Sequence, residues 1–115
     1  MTYSQGDIVL VPFPFSNQGG SKPRPAIVVS NSKVNKSKDI ILAQITSIQR
    51  ADEYSYVLEN KMITHLLLET NCEVRCHKLF IAEKSIVLKK ISALHKGLNK
   101  GLINKIISFI DVENQ

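Results

Sequence analysis

The sequence predicts a mainly β domain: a small β-barrel with helical cover, ending in one C-terminal helix. Three observations carry this. Short apolar runs recur from residue 8 to residue 91, each bounded by polar, glycine or proline clusters. Only the segment 96–112 has a helical period. No repeat, low-complexity tract or linker divides the 115 residues, so residues 1–115 read as a single domain.

Taken in order, Ile8 to Phe13 and Ala26 to Ser30 read as two strands, joined by a glycine-bearing loop from Ser16 to Lys22. Pro12 and Pro14 have no N–H for a sheet ladder, so the first strand is expected to end at an edge or a bulge. Asn31 to Lys38 reads as a polar turn. Ile40 to Ser47 is continuous and apolar enough for a central strand, and Tyr54 to Leu58 alternates as a fourth. Lys61 to Thr70 fits a short strand or a helical turn. Glu73 to Phe80 and Ser85 to Ile91 read as the last two strands. Alternation along Glu73 to Phe80 places Arg75 and His77 on one face, about 7 Å apart. In the segment 96–112, Leu98, Leu102, Ile103, Ile106, Ile107, Phe109 and Ile110 fall on about half of a helix circumference, which predicts a docking helix.

Composition bounds the function. The 43% of hydrophobic residues can build a modest core. The net charge is +5, and Arg75, Lys78, Lys84, Lys89, Lys90, Lys96, Lys100 and Lys105 are opposed within their span only by Glu83. Such a run suits an anionic partner, nucleic acid or acidic protein, and equally a solvated lysine-rich surface. There is no Trp, and few aromatic residues are present on which bases could stack. Cys72 and Cys76 on one strand would lie about 13 Å apart, too far for a disulfide, and their spacing is poor for zinc. Free thiols, together with the lack of a long apolar run or signal-peptide pattern, point to a cytoplasmic chain with no membrane segment. His, Cys and carboxylates do not cluster at ligand spacing, so neither a metal nor a cofactor is expected. Gly19-Gly20 lacks the lysine and helix of a phosphate-cradling loop.

The most informative stretch is residues 6–31. Arg24 stands there between Pro23 and Pro25. Proline fixes its own φ and pushes the preceding residue toward extended geometry, so the backbone at Arg24 is stiff. A guanidinium on a stiff base suits a phosphate, because little freedom is lost on binding. Gly6-Asp7-Ile8-Val9, Phe13-Pro14-Phe15 and Lys22-Pro23-Arg24-Pro25-Ala26-Ile27-Val28-Val29-Ser30-Asn31 together resemble the opening of the PemK/MazF family of type II toxin–antitoxin toxins. Ala43-Gln44-Ile45-Thr46-Ser47 and Val74-Arg75-Cys76-His77-Lys78-Leu79 fit the same pattern in the same order.

The resemblance implies an SH3-like barrel, a homodimer, endoribonuclease activity on single-stranded RNA and a cognate antitoxin protein. It matches Arg24 to the family's catalytic arginine and Thr46 to its hydroxyl residue. Arg75 matches a strand arginine, and His77 stands where some members carry an aspartate. His77 is therefore read either as a proton carrier, given an ordinary pKa of about 6.5, or as a residue that only hydrogen-bonds or binds RNA. Lys22, Ser47, Lys78, Phe15 and Asn17 are the expected RNA contacts. Ser47 would point to the opposite face from Thr46 in an unbroken strand. Two other readings remain. A gyrase poison of the same superfamily would end in a tryptophan-bearing motif, whereas this chain ends Asp111-Val112-Glu113-Asn114-Gln115. A non-catalytic SH3-like binding module would not need Arg24 and Thr46 together.

Overall fold

The computed structural model describes residues 2–13, 22–67 and 71–114. Six strands form one antiparallel sheet: β1 (Asp7–Phe13), β2 (Lys22–Val28), β3 (Asp39–Thr46), β4 (Ser55–Leu58), β5 (Cys72–Glu83) and β6 (Lys89–Ala93). Their order across the sheet is β4-β5-β3-β2-β1-β6. Among the described residues there are also two helices, α1 (Ser32–Asn35) and α2 (Asn99–Ser108), and two single 3-10 turns at Asn60–Met62 and Lys84–Ile86. The sheet curls into a half-barrel. Its two edges are drawn together by the segment after β4, where Ile63 bridges to Leu94. The Thr64 N–H donates to the Ala93 carbonyl at 2.8 Å and the His95 N–H to the Met62 carbonyl at 2.9 Å.

Both faces of the central strands are apolar, and both are covered. Successive side chains of a strand point to opposite faces. Ile8, Ile27, Ala43, Ile45 and Val74 therefore pack with Leu102 and Ile106 of α2. Val9, Val11, Ala26, Val28, Ile40 and Leu42 form a second cluster with Tyr3 on the other face. This double burial is why β1, β2 and β3 read as continuous apolar runs.

The sheet accommodates its prolines where neighbours run out. β2 begins at Lys22 rather than Ala26, so Pro23 and Pro25 lie inside it, facing Pro12 and Leu10 of β1. The β2–β3 ladder reaches only Ala26 and the β1–β6 ladder only Leu10. The prolines therefore occupy a stretch with no second neighbour, where a missing N–H breaks no ladder.

Other boundaries differ from the sequence reading for local reasons. Within the expected polar turn, Asn31 caps α1 by accepting the Lys33 N–H at 3.0 Å. Asn35 is buried, with its amide bonded to the Ser30 carbonyl at 2.8 Å. β5 extends to Glu83 and carries a bulge: Ala43 pairs with Leu79, but the next residue, Gln44, pairs with Arg75. Cys76, His77 and Lys78 thus have no partner on β3. The 3-10 turn at Lys84–Ile86 delays β6 to Lys89. α2 spans ten residues, only Leu102 and Ile106 are buried on it, and Ile107, Phe109 and Ile110 are exposed. Its docking face is narrower than the periodicity suggests. Gly6, at φ +96°, lets β1 pass close under the start of α2, where the Asn99 amide donates to the Gln5 carbonyl at 3.1 Å.

Candidate active site

Arg24 and Thr46 meet because β2 and β3 stop pairing. Their ladder runs from Val28↔Leu42 to Ala26↔Gln44. Carried two residues further it would set Arg24 opposite Thr46, but the strands have parted there. The gap is a cleft of about 310 Å³ lined by Arg24, Pro25, Gln44, Ile45, Thr46 and Ser47, with Leu10, Ile48, Leu67, Cys72 and Ile91 as its apolar wall. Arg24 is exposed. Its guanidinium has no ion pair or hydrogen bond among the described residues. The Thr46 hydroxyl accepts the Ile48 N–H at 3.1 Å, which leaves its own proton free to donate. Ser47 lines the same cleft as Thr46, because β3 has already ended and strand alternation no longer applies. Burial pushes the Cys72 thiol pKa up, so it sits in the wall protonated rather than as a nucleophile.

A guanidinium on a proline-flanked backbone and two hydroxyls in one apolar-walled cleft suit an anionic group such as a phosphate. Among the described residues, none lining this cleft is a carboxylate or an imidazole.

The β5 residues expected at this site lie elsewhere. Arg75 is 5% exposed. Its two terminal nitrogens each bond an oxygen of Asp52 at 2.9 Å, and one also bonds the Ser55 hydroxyl at 2.8 Å. The nearest oxygen of Glu73 is 3.9 Å away. Arg75 is thus occupied by an internal ion-pair network and is not presented to the cleft. The hydrogen bonds from Arg75, against some desolvation, hold the Asp52 carboxyl well below the usual carboxylate range. Burial raises the Glu73 pKa, but the Ser55 hydroxyl, the Arg50 and Ala51 N–H groups and the Arg75 charge outweigh it and leave Glu73 below its ordinary value.

His77 is exposed in the bulge and stacks on Tyr54, ring centroids 4.1 Å apart. Partial desolvation and the charges of Arg75 and Lys78 push its pKa down, against a smaller opposing pull from Asp52. Neither His77 nor Lys78 lines the cleft. Lys22 opens β2 at an exposed position, two residues before Arg24. Phe15 and Asn17 lie outside the described residues. The sequence reading missed Gln44 in the cleft and the Asp52–Ser55–Glu73–Arg75 network. The available signal was the pair of charged residues, Glu73 and Arg75, inside the otherwise apolar Cys72–Cys76 stretch.

The fold and cleft define a class: a small antiparallel half-barrel with one terminal helix and a phosphate-suited cleft where two central strands part. The family model for PemK-like, MazF-like toxins of type II toxin–antitoxin systems matches residues 4–110, and the chain belongs to that family. Among solved structures, a MazE–MazF complex from Deinococcus radiodurans is 14% identical, with a TM-score of 0.77 over 98% of this chain and 99% of that one. An endoribonuclease in complex with its cognate antitoxin from a mycobacterial species is 11% identical, with a TM-score of 0.72 over 98% and 99%. The Mycobacterium tuberculosis toxin MazF-mt6 is 14% identical, with a TM-score of 0.70 over 94% and 99%. No curated protein matches the chain significantly. Among the described residues no helix is long and apolar enough to cross a membrane.

Proposed function

We propose that this chain is an endoribonuclease toxin that cuts single-stranded RNA in the Arg24–Thr46 cleft. The observation that carries the reading is the convergence on one cleft of a guanidinium and a hydroxyl proton that are both unpaired among the described residues. Family membership and the similarity to structures described as endoribonucleases support it.

In this mechanism the RNA's own 2′-oxygen attacks the adjacent phosphorus and the 5′-oxygen leaves. The products are a 2′,3′-cyclic phosphate and a 5′-hydroxyl. Arg24 binds the non-bridging oxygens and stabilises the extra charge, and Thr46 donates a hydrogen bond to the same group. Ser47 and Lys22 hold the flanking backbone. The 2′ proton passes to water or to a group outside the described lining, and the departing 5′-oxygen takes a proton from water to become the 5′-hydroxyl. Charge stabilisation by guanidinium and hydroxyl donors needs no metal ion. The working form is a cytoplasmic homodimer, and an antitoxin with an acidic segment, steered by the net charge of +5, covers the cleft.

The test is cleavage of a long single-stranded RNA with excess chelator, followed by analysis of the new ends. Cyclic-phosphate and 5′-hydroxyl ends are expected. Cleavage abolished by EDTA and restored by Mg²⁺ would refute the proposal. Sedimentation at micromolar concentration tests the dimer.

A further inference from the structure

The loop between Thr46 and Ser55 holds one wall of the cleft, yet burial does not hold the loop. Residues 47–53 are all exposed, and none belongs to a helix or strand. What fixes the loop is polar. The Glu73 carboxylate, 2% exposed, accepts the Arg50 N–H at 3.1 Å and the Ala51 N–H at 3.3 Å. Two successive N–H groups converge on it because Ala51 has φ 49°, a left-handed conformation that a residue with a Cβ adopts only when its surroundings impose it. One step further on, Arg75 grips both oxygens of Asp52. The Ser55 hydroxyl lies within bonding distance of both carboxylates, 3.0 Å from Asp52 and 2.7 Å from Glu73. Glu73 also pairs directly with Thr46 in the β3–β5 ladder. The same residue therefore sets both the start of the loop and its turn.

Arg75 cannot serve the phosphate itself from this place. Its guanidinium is buried, its terminal nitrogens are occupied, and two carboxylates beside it would repel an anion. We infer that Glu73 and Arg75 are positioning residues: they pin the start and turn of the 47–54 loop and so fix the Thr46 hydroxyl for the reacting phosphate. The inference rests on the reading of the cleft given above.

Glu73→Gln keeps the shape of the side chain and removes its charge. In steady-state cleavage it is expected to lower kcat by about 10- to 100-fold, the scale of a misplaced catalytic group. KM should stay within about twofold, because phosphate binding by Arg24 is untouched. On a Thr46→Val background the same substitution should have no further effect, since it acts through that hydroxyl. Arg75→Lys should repeat the kcat loss, and Asp52→Asn, in the exposed loop, serves if a β5 variant does not fold. Independently of any cleavage, the Arg50 and Ala51 amides should lose hydrogen-exchange protection in Glu73→Gln without RNA. Additive losses of Glu73→Gln and Thr46→Val would overturn the inference, as would retained protection at both amides. A rise in KM alone for Arg75→Lys would also overturn it, by making Arg75 an RNA contact. Should the wild-type protein cut no RNA, the proposed activity falls. The amide exchange would still decide whether Glu73 pins the loop.

Discussion

Thr46 and Glu73 face each other across the β3–β5 ladder, and the Glu73 carboxylate reaches past its partner to hold the N–H groups of Arg50 and Ala51. A buried carboxylate stays ionised there because its donors outweigh its desolvation. This links fold stability to pH. Glu73 lies below its ordinary pKa of 4.5 in the folded chain, and Asp52 lies below its ordinary 3.8. The unfolded chain therefore binds more protons as acid is added. The stabilisation is complete above the ordinary values and is lost as pH falls through the depressed ones. Urea midpoints should be level near neutrality and decline progressively as pH falls below about 5. Glu73→Gln should flatten that decline. An unchanged acid slope in this variant would remove Glu73 from the linkage.

Arg24→Ala should separate activity from stability. The side chain is exposed and makes no bond among the described residues, so its removal should change stability by less than about 0.5 kcal/mol. Cleavage should fall by about 100-fold or more, the scale of losing one donor to a developing oxyanion. Thr46→Val should act similarly on rate. Thermal melts and single-turnover cleavage of the same preparations check both halves. A folded Arg24→Ala protein with the wild-type rate would move the active site elsewhere.

The strands and the terminal helix were legible because they depend on local pattern, whereas Arg24 and Thr46 were linked only through the resemblance to the PemK/MazF family. Apolar runs follow from burial on both faces, and the prolines around Arg24 advertise a stiff, exposed stretch. The partner of Arg75 was not legible. Asp52 lies on a loop 23 residues away, and only the fold brings the two together. The β5 bulge was equally hidden, because alternation in the sequence continues smoothly through Cys76 and His77. The extent of α2 was overread: an apolar stripe marks what can be buried, and here only Leu102 and Ile106 are fully buried, with Leu98 and Ile103 partly so.

Gly6 and Asn99 give a stability prediction free of the cleft. Gly6 has φ +96°, and a Cβ there would run into the Asn99 amide. Gly6→Ala combines backbone strain with a steric clash and should destabilise the fold by about 1–3 kcal/mol. Asn99→Ala removes the bond to the Gln5 carbonyl but relieves the crowding, so the double variant should recover part of the loss. Chemical denaturation of the two single variants and the double variant checks this. Strictly additive losses would mean that the two residues do not collide.

The position of His77 gives a last prediction. A histidine acting as general base would give the cleavage rate an acid limb near its pKa, and glutamine in its place would abolish that limb. In the structure its ring lies on Tyr54, within the β5 bulge, and it does not line the cleft that holds Arg24 and Thr46. Desolvation and the Arg75 and Lys78 charges depress its pKa, so near neutral pH it is an uncharged stacking partner. His77→Gln should therefore cleave RNA within about twofold of the wild-type rate, with the pH profile unmoved. The effect should fall instead on the Tyr54 stack, as a stability loss of about 0.5–1.5 kcal/mol in urea. An acid limb that vanishes in His77→Gln, with folding intact, would place His77 in the chemistry and require that it reach the phosphate from a second copy of the chain.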